Sequence, residues 1–208
     1  MGHRQQAFLS SRSILTGSLA FLLASAASVQ ADTPQKGGVL RIASLNADID
    51  AFDPLTGYST DSWAILRAVT RQLVTYKGAS GDIKDDTELV PDLATSWDVS
   101  EDGTQFTFHL RKGVHYSGST DREIKAADFV YGIKRFCDPN KQVAAINYFN
   151  LAFTGFKEYC EAFSQVAPGD LKAARDFIDS HEISGISAPD DYTLVLKSDS
   201  KNYDFLNI

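Results

Sequence analysis

SWDVSEDGTQFTFHL, from Ser96 to Leu110, carries the clearest structural signal in this chain. Apolar and polar residues alternate on both sides of an Asp-Gly pair, which is the pattern of two β-strands that each have one buried face. Gly103 suits the tight connection because glycine adopts a positive φ without a steric penalty. The sequence therefore predicts a β-hairpin that turns at Glu101–Thr104.

Amphipathic helices are predicted on the C-terminal side of this hairpin. Residues 126–137 place Phe129, Val130, Ile133 and Cys137 on one helical face, and Asp-Pro-Asn follows directly. Proline disfavours helical backbone angles in the residue before it, so we expect the helix to stop there.

Further elements follow the same periodicities. Two more helices are predicted around Gly155 to Ser164 and around Asp170 to Ser180. A second hairpin is predicted from strands Ile183–Ala188 and Tyr192–Leu196, turning at Pro189–Asp191.

The N-terminal side contains fewer regular elements. A strand is predicted over Val39–Ala43, a loop over Asn46–Thr60, a helix over Trp63–Val74 and a polar loop over Lys77–Glu88. An apolar segment begins at Lys201–Ile208. Helices and strands are interspersed throughout, which predicts a mixed α/β (α+β) fold class.

The composition is that of an ordinary globular protein. Of 208 residues, 43% are hydrophobic and 23% are charged, which argues against a disordered chain. The 27 acidic residues outnumber the 20 basic ones. This balance disfavours nucleic acid as a partner, since such binding needs a clustered cationic face.

Residues 1–31 resemble a secretory signal peptide. Arg4 and Arg12 form a positive start, and the apolar stretch Ile14–Ala27 is too short to cross a bilayer as a helix. Small residues precede an expected cleavage after Ala31. We therefore expect a periplasmic protein that is not lipid-anchored, because no cysteine lies near this site. The alternative is a buried N-terminal helix.

Two cysteines, Cys137 and Cys160, fall in the part that would remain after cleavage. An even number of cysteines in an oxidising compartment predicts a disulfide between them. Two buried free thiols are the alternative interpretation.

No catalytic or metal-binding constellation emerges from the sequence. His109 and His115, with Asp121, match no spacing that metal ligands require, so no metal is expected. Neither cysteine has a neighbouring base or a glycine-rich elbow, so no nucleophilic enzyme and no cofactor are expected.

Several ordered motifs resemble the family 5 extracellular solute-binding proteins, the peptide, dipeptide and nickel receptors of ABC importers. The matching segments are Phe52-Asp53-Pro54, Leu93–Thr104 with Phe106–Val114, Phe129-Val130-Tyr131 with Lys134-Arg135 and Asp138-Pro139-Asn140, and Ala188–Val195. The resemblance runs from about Gly37 to Ile208. The chain departs from the family pattern at Ser117–Glu123, which is longer, and at Lys125, which replaces a helix-capping threonine.

The resemblance implies the N-terminal part of a bilobal periplasmic binding protein of type II, incomplete here. It assigns residues 32–74 to the first lobe, 75–200 to an accessory domain and 201–208 to the return into the first lobe. The implied partners are an oligopeptide ligand and the membrane permease subunits of an ABC importer, and the protein is expected to be a monomer. By position, the resemblance points to Tyr58 and Thr60 as ligand contacts. Where the family has a further aromatic contact this chain has Ala145, and Tyr148, three residues on, is the candidate for that contact.

Other functions remain open at this point. The chain is alternatively a truncated product that binds nothing, a free-standing interaction domain, or part of a receptor for nickel, haem or a sugar. The resemblance implies that the residues that distinguish these ligands lie mostly outside this chain.

Overall fold

The computed structural model divides into two compact units, Met1–Ala43 and Ser44–Ile208. It describes residues 37–39, 41, 43, 49–77, 87–118, 120–141, 143, 146–202 and 205–207. The predicted signal peptide, residues 1–31, lies outside the described residues. So do Leu40 and Ile42 of the predicted first strand, while Val39, Arg41 and Ala43 are in neither a helix nor a strand.

The second unit contains five α-helices and six β-strands among its described residues. In chain order they are α1 (Thr60–Val69), β1 (Val74–Tyr76), β2 (Leu89–Pro91), β3 (Ala94–Val99), β4 (Gln105–Leu110), α2 (Ala126–Lys134), α3 (Ile146–Ala152), α4 (Phe156–Phe163), α5 (Leu171–Ser180), β5 (Ile186–Asp190) and β6 (Thr193–Lys197). Short 3₁₀ turns occur at Arg135–Cys137 and Phe205–Asn207. This mixture of helices and strands confirms the predicted fold class. No helix in the described ranges is long and apolar enough to span a bilayer.

The predicted hairpin is confirmed as β3 and β4. The strands run antiparallel with Trp97 opposite Phe108, and Gly103 adopts a φ of 70° in the connection. Asp102 accepts a hydrogen bond from the backbone N–H of Thr104 at 3.0 Å, which shapes the turn. The predicted alternation is present in β4 but not in β3, where Trp97 is half-buried and Val99 is 48% exposed.

A four-stranded antiparallel sheet in the order β3-β4-β6-β5 forms one layer of the unit. Phe106, Phe108 and Leu110 of β4 are buried, and the residues between them are half-buried. In β6, Leu194 and Leu196 are buried and alternate with half-buried residues in the same way. These side chains join one core cluster with residues of α2, α4 and α5. Burial of this apolar face against the helices is the main stabilising contribution to the sheet.

The predicted boundaries of α1 were wrong at both ends, since the helix begins at Thr60 rather than Trp63 and ends five residues before Val74. The helix ends at Val69 because Thr70 leaves the helical conformation, with its hydroxyl and its N–H both donating to the carbonyl of Leu66. Val74, expected in the helix, instead begins β1 and lies opposite Pro91.

The second hairpin is confirmed, with a shifted turn. Pro189 and Asp190 belong to β5, so the chain turns at Asp191–Tyr192. The pairing of β5 with β6 is irregular between Ser187 and Asp190. This irregularity accommodates Pro189, which has no N–H to donate to a strand neighbour.

The helix over residues 126–137 is confirmed as α2 and the 3₁₀ turn that follows it. Its first turn begins without a threonine cap. The N–H of Lys125 donates to the Asp128 carboxylate at 2.9 Å, and the N–H of Ala126 donates to the carbonyl of Asp191 at 2.8 Å. These bonds satisfy N–H groups that would otherwise lack partners at a helix start.

Cys137 and Cys160 form a disulfide, with their Cα atoms 4.7 Å apart. The predicted bridge is therefore confirmed, and the alternative of two free thiols is wrong. The bond joins the 3₁₀ turn after α2 to the middle of α4. Helices α4 and α5 confirm the two predicted helices, whereas α3 was not predicted.

Candidate functional site

The loop Asp50–Ser59, which leads into α1, is organised around the carboxylate of Asp50. This carboxylate accepts hydrogen bonds from the backbone N–H groups of Tyr58 and Ser59 at 2.8 and 2.9 Å. The hydroxyls of Ser59 and Ser62 donate to it as well. The bond from Ser62, followed by the one from Tyr58, holds the pKa of Asp50 well below its ordinary value. The loop is thus closed on itself by an ionised side chain.

A second turn within the same loop is built on Asp53. Its carbonyl accepts the N–H groups of Thr56 and Gly57 at 3.0 and 2.9 Å, and its carboxylate accepts the N–H of Leu55 at 3.0 Å. Gly57 is buried, and a Cβ placed there would lie 3.2 Å from Leu66 of α1. The loop therefore packs closely against the helix that follows it.

Two aromatic side chains are exposed where this loop meets α1. Tyr58 is 56% exposed and Trp63 is 52% exposed, and their rings meet edge-to-face with centroids 6.3 Å apart. The indole N–H of Trp63 donates to the carbonyl of Gly57 at 2.8 Å. Exposed aromatic rings held by a hydrogen-bonded loop are suited to stacking against a ligand or a second protein surface.

The structure places two of the three predicted ligand contacts together. Tyr58 lies at the end of the loop, and Thr60 is the first residue of α1 and is exposed. Tyr148 lies on α3, and its side chain is outside the described part of the chain. The assignment of all three residues to ligand binding stays a prediction.

Sequence reasoning did not identify the residues that hold this loop. Ser59 caps α1 by accepting the N–H of Ser62 at 3.1 Å, and the pair of serines three residues apart was the available signal. Arg135 reaches Asp53 with 3.0 Å between Nη2 and Oδ2. No local pattern indicates this contact, because it joins distant parts of the chain.

The neighbouring Lys134 has a different partner. Its Nζ is buried and donates to the carbonyl of Ile178 near the end of α5, at 3.2 Å, and pairs with Glu182 at 2.9 Å. A cation at this position suits the negative end of a helix dipole. The Lys134-Arg135 dipeptide thus connects α2 to α5 and to the loop Asp50–Ser59.

Two surface cavities lie away from this loop, one of about 500 Å³ between α4 and α5 and one of about 570 Å³ beside α2. Glu182 and Ser184 line both of them. Tyr159 lines the first, and its buried hydroxyl has no hydrogen-bond partner among the described residues. Burial raises the pKa of this hydroxyl.

His109 and His115 do not share a site with each other. His109 contacts Asp98 at 2.8 Å across the β3–β4 hairpin, and His115 contacts Asp121 at 2.8 Å within its own loop. Hydrogen bonding to the carboxylate and the backbone carbonyl of Asp121 raises the pKa of His115. Within the described ranges, no three histidine, cysteine or carboxylate side chains are grouped closely enough to hold a metal ion.

Comparison with known proteins gives a consistent result. The model of the bacterial extracellular solute-binding proteins, family 5 Middle, matches residues 88–208, which is more than half of the chain. Heme-binding protein A of Haemophilus influenzae is 38% identical over 89 residues, which cover 41% of this chain and 14% of that protein. The oligopeptide-binding protein AmiA of Streptococcus pneumoniae is 30% identical over 169 residues, covering 76% of this chain and 23% of that protein.

The fold is also similar to solved structures. The murein tripeptide binding protein MppA of Escherichia coli superposes with a TM-score of 0.58 at 22% identity, covering 76% of this chain and 26% of that one. The matched part of the chain thus spans about a quarter or less of the length of each of these proteins. The family model, the two relatives and the shared fold agree. The chain belongs to the family 5 bacterial extracellular solute-binding proteins.

Proposed function

We propose that this chain is part of a periplasmic receptor that binds oligopeptides and delivers them to the membrane permease subunits of an ABC importer. The observation that carries the proposal is the loop Asp50–Ser59. It is closed by four hydrogen bonds to the Asp50 carboxylate and leaves the Tyr58 ring exposed at the start of α1. Such a preorganised loop loses little conformational entropy when it binds a ligand.

The mode of binding follows from a simple chemical argument. A receptor for many peptides must recognise what they share, the backbone, and leave side-chain selection to looser pockets. We assign Tyr58 and Thr60 to the contact surface, with Tyr148 as a further contact. The function is binding without covalent chemistry, so the protein is not an enzyme, and we propose that it acts as a monomer.

The proposal includes a division of the chain into segments. We propose that residues 1–31 direct export and are removed, and that the exported protein is not lipid-anchored. Residues 32–74 would contribute to the first lobe, 75–200 would form the accessory domain and 201–208 would return to the first lobe. The β1 strand, Val74–Tyr76, then lies at the boundary between the first two segments.

Haem is the second candidate ligand, because one similar protein is named as a heme-binding protein. A calorimetric titration distinguishes haem binding from peptide binding. The product of the complete gene is titrated with mixed di- to pentapeptides and, separately, with hemin. We expect heat from the peptides and none from hemin. Binding of hemin alone would contradict the peptide proposal.

A substitution then tests the assigned surface. Tyr58→Ala is expected to weaken peptide binding by about fivefold, the usual effect of losing one moderately important aromatic contact. The matched control is Tyr131→Ala, which removes an exposed tyrosine from α2. A polypeptide of residues 32–208 alone is expected to show no ligand-dependent shift in melting temperature, because it supplies only part of a binding cleft.

A further inference from the structure

An ion pair joins the loop Asp50–Ser59 to the 3₁₀ turn that follows α2. Arg135 Nη2 lies 3.0 Å from Asp53 Oδ2, and the two residues are 82 positions apart in the chain. Each side chain is about one-third exposed, so solvent screens the pair only partly. The other hydrogen bonds of this loop, among the described residues, stay within Asp50–Trp63.

On the loop side of this ion pair, Asp53 makes several further hydrogen bonds. Asp53 uses its second carboxylate oxygen for the N–H of Leu55 and its carbonyl for the N–H groups of Thr56 and Gly57. The carbonyl of Gly57 in turn accepts the indole N–H of Trp63. A displacement of Asp53 therefore reaches the exposed aromatic residue through directly bonded neighbours.

The arginine side is held by the core. Arg135 begins the 3₁₀ turn after α2, and its carbonyl accepts the N–H of Asp138 at 3.2 Å. Two residues later, Cys137 is buried and bonded to Cys160 of α4. The α4 helix is fixed in turn by Phe156 and Phe163, whose side chains are fully buried. The turn that carries the Arg135 guanidinium is thus fixed to α4 by the disulfide.

We propose that Arg135 is a positioning residue for the loop Asp50–Ser59. The turn that the disulfide fixes holds Arg135, and Arg135 sets the location of Asp53. Through Asp53 and Gly57, it also sets the location of Trp63 and Tyr58. It acts on ligand affinity without touching the ligand. The consequence for affinity rests on the proposed peptide-binding function, whereas the effect on loop position does not.

The first test reads the loop position directly. Residues 32–208 contain two tryptophans, so in a polypeptide of these residues Trp97→Phe leaves Trp63 as the sole indole reporter. In that background, Arg135→Gln is expected to increase acrylamide quenching of Trp63 fluorescence, because the loop is released. Arg135→Lys, which keeps the positive charge, is expected to restore most of the protection.

The matched control is Arg122→Gln. Arg122 pairs with Asp128 at 2.8 Å, a comparable surface ion pair far along the chain from the loop. This variant is expected to leave Trp63 quenching unchanged. Equal quenching in Arg135→Gln and its parent, or an equal rise in Arg122→Gln, would overturn the proposal.

The second test measures affinity for the peptide mixture in the product of the complete gene. Arg135→Gln and Asp53→Asn are each expected to weaken binding by up to about fivefold, the range for a partly exposed ion pair. The double variant is expected to bind no more weakly than either single variant, because both remove the same interaction. Additive losses would show that the two residues act separately and would overturn the proposal. If the parent binds no peptide, the proposed function fails, and the quenching experiment still decides the role of Arg135.

Discussion

Cys137 lies at the end of the turn that follows α2, and its disulfide to Cys160 ties that turn to α4. The bond closes a loop of 23 residues that contains α3. It therefore restricts the unfolded chain across a helical segment while fixing the turn that carries Arg135.

Loss of this disulfide is expected to lower the free energy of unfolding by about 3 kcal/mol, from the chain entropy of a loop of this size. The measurement is urea denaturation of the oxidised protein beside the Cys137→Ala, Cys160→Ala double variant. Reduced and alkylated parent protein should lose a similar amount. A double variant as stable as the oxidised parent would contradict this prediction.

Asp50 predicts a pH dependence of stability. Its hydrogen bonds lower its pKa in the folded state, so the ionised carboxylate favours folding above the unfolded value of about 4. That contribution is lost as the pH falls further and the carboxylate is protonated. Urea denaturation should therefore show Asp50→Asn to be less stable than the parent at pH 7, with the difference shrinking below pH ~4.

A control isolates this effect from general acid destabilisation. Asp179→Asn, which removes an exposed carboxylate on α5, is measured over the same pH range as the matched control. A difference for Asp50→Asn that stays constant down to pH ~3 would show that the carboxylate is not the source.

Two glycines are predicted to respond to alanine in opposite directions. At Gly185 a new Cβ would lie 2.6 Å from the carbonyl oxygen of Thr154 and 2.9 Å from that of Lys197. Backbone atoms cannot move aside cheaply, so Gly185→Ala is expected to cost about 1–3 kcal/mol.

Gly132 lies within α2, and a Cβ there meets nothing within 4 Å. Gly132→Ala is expected to stabilise the protein by about 0.4–1 kcal/mol, because alanine restricts the unfolded chain. Thermal denaturation of both variants tests the pair. A more stable Gly185→Ala would contradict the packing described for Gly185, and a less stable Gly132→Ala would contradict the open space described beside α2.

Phe205 is predicted to be a core residue of the unit, although it follows the last strand. It is buried and stacks on Phe106 of β4 with ring centroids 4.0 Å apart. Phe205→Ala is expected to cost about 3–5 kcal/mol in urea denaturation, as for other buried aromatic residues. Leu171→Ala, at an exposed position on α5, should change stability by less than about 0.5 kcal/mol.

The strength of each local pattern explains what the sequence could predict. β4 and β6 alternate cleanly between buried and half-buried positions, and α2 places Val130 and Cys137 in the core, so periodicity identified them. β1 and β2 have three residues each, which is too short for any periodicity to show. They pair antiparallel with Val74 opposite Pro91, and Arg71 and Asp92 form an ion pair beside them.

The candidate site was less accessible to sequence reasoning. Tyr58 and Thr60 came from resemblance to the family, and the structure adds that they stand at the end of a loop closed by Asp50. The pairing of Asp53 with Arg135 could not be predicted, since a single contact across 82 positions leaves no periodic trace. The disulfide was predictable because the chain offers only one pair of cysteines.

The sheet order also has a consequence for the sequence of events during synthesis. β4 obtains one neighbour, β3, immediately, but its other neighbour, β6, emerges only after all of α2 to α5. A growing chain that ends before Thr193 thus has β4 paired on one side only, and its open edge is prone to pair with another chain. We expect the helical segment to become compact first and the sheet to be completed last. The nascent protein therefore needs a chaperone most before β6 has been synthesised.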